Sequence, residues 1–242
     1  MKRLNNSTIE SQQNLGNLYF TAFQNLPQYT DNVGSFTPLF FSKPSQHLQK
    51  QFKVYTQRIK WDSYPMRFVF NARTCRDCFN LFKMSDETIE NVLKCSEAII
   101  RSVQGENNAS STDTIIHVST DFQEKILPML RKSPIAKLAK IESFAYSGFV
   151  HSSNAHKGEN RAHLLNGIFV DLLMLGEPAV QMISGSTFAL SGVLREGYTT
   201  SSKTLHLHSM MTGDFMCRRV YDDKNFYPDS EKVVQKWTAF YE

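Results

Sequence analysis

The chain has 242 residues, enough for one large domain or two small ones. Its apolar fraction of 41% is that of an ordinary globular protein, and 18 Phe with 9 Tyr suit a β-rich core. Lys and Arg total 27 against 23 acids, a net charge of +4 that is too mild to demand nucleic acid or an anionic membrane as partner.

The start, MKRLNNSTIESQQNLGN, carries a Lys-Arg pair with no apolar run behind it, so no secretory signal is expected. Position 2 is Lys, not the Gly that N-myristoylation requires. An intracellular chain is therefore expected. In that setting the sequons at Asn6 and Asn108 are idle and the four Cys are expected to be reduced.

Residues 1–50 read as a flexible polar arm. Asn, Gln, Ser and Thr dominate, Pro27, Pro38 and Pro44 break regular elements, and scattered aromatics such as Tyr19, Phe23 and Phe36 offer anchors. Residues 51–242 read as one globular domain. Phe52, Val54 and Thr56 alternate with polar neighbours as a half-buried strand, and Met66 to Phe70 forms a second. Cys75, Cys78, Phe79 and Phe82 share a helical face. Ser85-Asp86-Glu87 opens another helix, with Ile89, Val92, Leu93, Ile100 and Val103 as its apolar face and Gly105 as its end. After a polar loop to Asp113, Ile115, Ile116 and Val118 predict a short strand. A helix follows from Asp121 until Pro128, then one from Ser133-Pro134 through Ile141, then a strand over Phe144 to Val150. Ser152 to Arg161 is a second polar loop.

Leu164 to Arg195 is the longest apolar segment. Asn166, Asp171, Glu177, Gln181 and the Ser184–Thr187 cluster interrupt it, which favours buried sheet over a membrane span of about 20 apolar residues or a re-entrant segment. Phe169, Val170, Val180, Ile183, Phe188 and Val193 favour strands, so two buried strands are expected around a Gly176-Glu177-Pro178 corner. Leu205 and Leu207 alternate with His206 and His208 as a further strand. Thr212-Gly213-Asp214 turns it into Phe215 to Tyr221, and Asp229-Ser230 caps a last helix. The pattern predicts an α+β fold: a single domain with a mostly antiparallel sheet and packed helices behind the arm.

Chemistry is sparse. Cys75-Arg76-Asp77-Cys78 has the spacing of a zinc or redox pair, but no second C-x-x-C supplies more ligands, and Cys95 and Cys217 stand alone; two small apolar residues on a helix account for it. His206 and His208 share a strand face and, with His151, His156 and His163, form an outside candidate for a metal site; a solvent-facing polar side is the favoured reading. No G-x-S-x-G, P-loop or G-x-G-x-x-G occurs, so no catalytic residue and no cofactor is expected. Among the basic residues, Arg131, Lys132, Lys137 and Lys140 form the best patch for phosphate or lipid headgroups.

The layout of a Pro- and Tyr-bearing polar arm before a mildly basic α+β domain resembles the matrix proteins of rhabdoviruses. The arm's Leu26-Pro27-Gln28-Tyr29 stands where that family often carries Pro-Pro-x-Tyr, with Leu26 in place of the first Pro. The resemblance implies a non-enzymatic structural protein of the virion that self-associates. It would link the viral ribonucleoprotein to the inner face of an anionic membrane, in the host cytoplasm, at the membrane or in the nucleus. On that basis the arm around Tyr29 recruits a partner and the four basic residues supply electrostatic contact. A nucleic-acid-binding protein, of the movement or nucleocapsid-associated kind and contacting RNA, is the alternative. A metal-dependent enzyme built on the histidines is the third.

Overall fold

The computed structural model describes residues 44–74, 84–144, 161–185, 187–194, 204–208 and 214–219. Among these residues five α-helices, α1 (Gln46–Ile59), α2 (Asp86–Asn107), α3 (Gln123–Lys132), α4 (Arg161–Leu175) and α5 (Thr187–Leu194), surround one six-stranded sheet. Its strands are β1 (Met66–Ala72), β2 (Thr114–Thr120), β3 (Lys140–Glu142), β4 (Val180–Ser184), β5 (Thr204–His208) and β6 (Phe215–Arg219), in spatial order 3-2-1-4-5-6.

Helices pack on a mixed sheet, as expected, but the sheet is mostly parallel. The four pairings among β1 to β5 are parallel, and only β5 with β6 is antiparallel. The reason lies in the strands' burial. Every residue of β2 and of β4 is buried, and so are the last five of β1. A strand covered on both faces reads as a continuous apolar run instead of an alternation, which is the mark of a parallel sheet between helical layers.

Two cores flank the sheet. On one face Phe68, Phe70, Ile116, Val118, Val180 and Met182 meet Ile89, Val92 and Ile100 of α2 and Ile126 and Leu130 of α3. On the other, Val69, Ile115 and Ile183 meet Tyr55 and Ile59 of α1, Val170 and Met174 of α4, and Ala189 and Val193 of α5. The chain therefore winds outward from β1 through β2 to β3 under α2 and α3. It then crosses to β4 and winds the other way through α4 and α5.

Several local expectations change. Phe52, Val54 and Thr56 lie in α1, not in a strand; Ser45 caps that helix by accepting from Leu48 N–H at 3.3 Å. The apolar segment after Leu164 is helix, strand and helix, not two strands. Its corner is where expected, between α4 and β4, but Phe169 and Val170 are helical: Val170 and Met174, one turn apart, pack on the sheet while Phe169 is exposed. Helix α2 passes Gly105 and ends at Asn108, whose φ of 51° closes it in the left-handed region. Helix α3 continues through Pro128, since Ile126 and Leu130, both buried, hold it on the sheet. The helix expected after Ser133 is a short 3-10 turn, Pro134–Lys137, before β3. The arm's residues 1–43, the helical face at Cys75 to Phe82, the strand after Phe144 and the last helix lie outside the described residues.

The close approach of α4 and α5 depends on Gly192. A Cβ built there stands 2.5 Å from Leu175 Cβ and 3.0 Å from Leu172 O. Gly192→Ala is therefore expected to destabilise by about 2 kcal/mol, overpacking outweighing the helix propensity gained. Thermal unfolding checks this: a raised Tm would contradict the contact.

Candidate functional site

In a doubly wound sheet, neighbouring strands whose connections leave in opposite directions part at their carboxyl ends and leave a crevice there. Here that reversal falls between β1 and β4. Several buried polar residues of the sheet meet at that edge. Ser184 Oγ at the end of β4 donates to Asn71 Oδ1 on β1 at 2.6 Å, and Asn71 Nδ2 donates to Ser119 Oγ on β2 at 3.1 Å. Just past β2, Asp121 Oδ1 accepts from both Thr74 N–H (2.7 Å) and Thr74 Oγ1 (3.0 Å). These side chains are all buried. Strands β1 and β2 thus end in a hydrogen-bonded rim that fixes their loops.

His208 spans the same edge from β5. Its backbone carbonyl accepts from Gly185 N–H at 2.9 Å, and its Nε2 lies 3.1 Å from Arg73 O. A carbonyl can only accept, so Nε2 carries the proton and Nδ1 holds a lone pair. That Nδ1 is buried without a hydrogen-bond partner among the described residues. The Arg73 guanidinium stands over the Phe188 ring in the first turn of α5, 5.0 Å from its centroid.

Burial pushes His208 down from 6.5 to about 4, opposed by its bond to Arg73 and the Asp121 charge. The unfolded chain takes up this proton below about 6.5, the folded chain only below about 4. Stability from neutral His208 is thus complete above pH 6.5 and is lost as pH falls toward 4, by about 3 kcal/mol. His208→Gln keeps an N–H for Arg73 O but does not titrate, so urea midpoints over this range should lose that part of their slope. An unchanged slope would contradict a buried neutral ring.

A second constellation lies in the core between the sheet and α1 and α4. Tyr55 O–H donates to His117 Nδ1 at 2.6 Å, and His117 Nε2–H donates to Asp171 Oδ1 at 3.0 Å. It joins α1, β2 and α4, and all three side chains are buried. Burial, then the charges of Asp171 and Glu142, raise the Tyr55 phenol, so it remains a donor. The chain of bonds has consistent polarity and no solvent-facing end; it is a structural tie.

The sequence-predicted residues fall elsewhere. Arg131 and Lys132 end α3, Lys137 lies in the 3-10 turn and Lys140 in edge strand β3; all four are exposed. Lys140 Nζ pairs with Glu142 Oε1 at 3.0 Å. Leu26, Pro27, Gln28 and Tyr29 lie outside the described residues, as do Cys75 and Cys78. His206 and His208 are both on β5, with a register irregularity between them, but His208 is buried and not solvent-facing: it closes over the β1 terminus. No group of three His, Cys, Asp or Glu among the described residues can hold a metal. Cys95 and Cys217 are not isolated thiols; they form a disulfide with Cα atoms 6.1 Å apart, because α2 packs against β6. Among the described residues no helix is long and apolar enough to cross a membrane.

Sequence reasoning missed Tyr55, Asn71, Arg73, Thr74, His117, Asp121, Asp171 and Ser184. One signal was present: Asn71, His117 and Ser119 are polar interruptions in apolar strands. No protein family, curated protein or solved structure matches the chain.

Proposed function

We propose that this chain binds a small ligand in the crevice outside the carboxyl ends of β1 and β4. The observation that carries the reading is the convergence of Arg73, Thr74, Asp121, Ser184 and His208 where the strand order reverses. Ligands of open α/β sheets take this position because two loops diverge there and leave backbone groups facing one space. The reading is of binding alone, with no reaction assigned. A thermal-shift panel of nucleotides, sugar phosphates, dicarboxylates and neutral sugars, followed by hydrogen exchange on each hit, tests it. Slowed exchange at residues 72–74 and 184–188 is expected. Hits that protect only other segments, or no hit, would overturn it.

A second reading has an observation of its own. Arg131, Lys132, Lys137 and Lys140 are all exposed around the β3 end of the sheet. On this reading the chain is a non-enzymatic interaction protein of the matrix kind, self-associating and touching an anionic membrane surface, ribonucleoprotein or RNA through that patch. Co-sedimentation with anionic liposomes that weakens with salt supports it. No binding at low salt, with a monomeric sedimentation profile, counts against it.

A further inference from the structure

Resting on the crevice reading, we propose that the ligand is a phosphorylated polyol. Its phosphate lies at the start of α5 beside Arg73, and one of its hydroxyls donates to Nδ1 of His208. Two independent features set this polarity. The first is the Nδ1 lone pair, buried and without a partner among the described residues while Nε2 is committed to Arg73 O, so that an occupant reaches it by displacing the groups that cover it. Burial keeps the ring neutral near pH 7, so it can only accept there, and an occupant must bring an O–H or N–H. An anion directly at Nδ1 is disfavoured twice, by that lone pair and by the neighbouring Asp121 carboxylate.

The second feature is cationic. The Arg73 guanidinium is half-buried over Phe188, and no described carboxylate pairs with it. Phe188 lies in the first turn of α5, where the helix dipole is positive. Two positive features side by side repel unless an anion lies between them, and a helix start with an arginine is suited to phosphate. Gly185, between β4 and α5, leaves the backbone approach clear of a side chain, and its N–H holds β5 in register through His208 O. The two ends of the crevice thus ask for opposite things: an anion at α5 and a hydroxyl at β5. A free phosphate satisfies only the first and a neutral sugar only the second.

Calorimetry on the full chain with ribose 5-phosphate, inorganic phosphate and ribose separates these demands. Ribose 5-phosphate is expected to bind at least about tenfold tighter than inorganic phosphate, and ribose not measurably. Arg73→Gln should weaken ribose 5-phosphate by about tenfold or more. In wild-type protein, imidazole nitrogen NMR should show the His208 Nδ1 resonance moving upfield on binding while Nε2 stays protonated; this readout does not depend on any variant folding. Equal affinity for phosphate and ribose 5-phosphate, indifference to Arg73→Gln, or a motionless Nδ1 would each overturn the proposal. If instead an unphosphorylated compound protects residues 72–74 and 184–188, the ligand class falls and the crevice reading stands. If nothing protects them, both fall.

Discussion

Reduction of the Cys95–Cys217 disulfide is expected to lower the unfolding free energy by about 5 kcal/mol. The bond closes a loop with a sequence separation of 122, and chain-entropy stabilisation grows with the logarithm of that length. A typical domain has about 5–15 kcal/mol in total, so the loss is a large share of it. The geometry adds a local reason. Strand β6 pairs only with β5 among the described strands, and Cys217 itself adopts φ of 48°, unfavourable for a side chain with a Cβ. The link to α2 holds that backbone in place. Cys217 is exposed, so a soluble dithiol can reach the bond by thiol–disulfide exchange although Cys95 is buried. Urea unfolding with and without dithiothreitol, beside the Cys217→Ser variant, measures it. Both treatments should shift the midpoint down together; coincident curves for reduced and oxidised protein would contradict the cross-link.

His117→Leu is expected to cost about 3–5 kcal/mol, because it leaves a buried carboxylate and a buried hydroxyl unsatisfied together. The substitution strips the buried Asp171 carboxylate of its imidazole donor and leaves the Tyr55 hydroxyl without its acceptor. The same network predicts an order among gentler changes. Asp171→Asn keeps an oxygen to accept from Nε2–H and should cost about 1 kcal/mol, while Tyr55→Phe leaves only Nδ1 unsatisfied and should cost about 1–3 kcal/mol. The effect should reside in stability, with ligand binding in the β1–β4 crevice intact after correction for the folded fraction. His117→Leu within 1 kcal/mol of the native chain would show that the three side chains do not act as a unit.

What the sequence revealed followed from how each segment is covered. Strands β1 and β2 and the Ser85 start of α2 were legible because each carries a local signal: an apolar run or a cap. Parallel pairing was not legible, since β1 and its partners β2 and β4 are far apart in sequence and no local feature encodes their order. Helix α4 was misread because it is apolar nearly all round: Val170 is buried as it would be in a strand, and even the exposed position 169 is a Phe. Helix α1 was misread from a three-residue alternation at Phe52, whereas its helical face rests on Tyr55 and Ile59, four residues apart. The exposure of Arg131, Lys132, Lys137 and Lys140 was anticipated, since long cationic side chains seldom bury unpaired. The rim at Asn71, Thr74, Asp121, Ser184 and His208 was hidden for the same reason as the strand order: it exists only once β1, β2, β4 and β5 lie side by side. The disulfide was dismissed on an intracellular expectation, while its geometry depends on α2 meeting β6.

The most direct measurement is a crystal structure of the full chain soaked with the tightest ligand from the panel. The account predicts difference density outside the carboxyl ends of β1 and β4, within hydrogen-bonding reach of His208 Nδ1 and the Arg73 guanidinium. Ligand density on the basic face of α3 and β3, with the β1–β4 crevice empty, would contradict it.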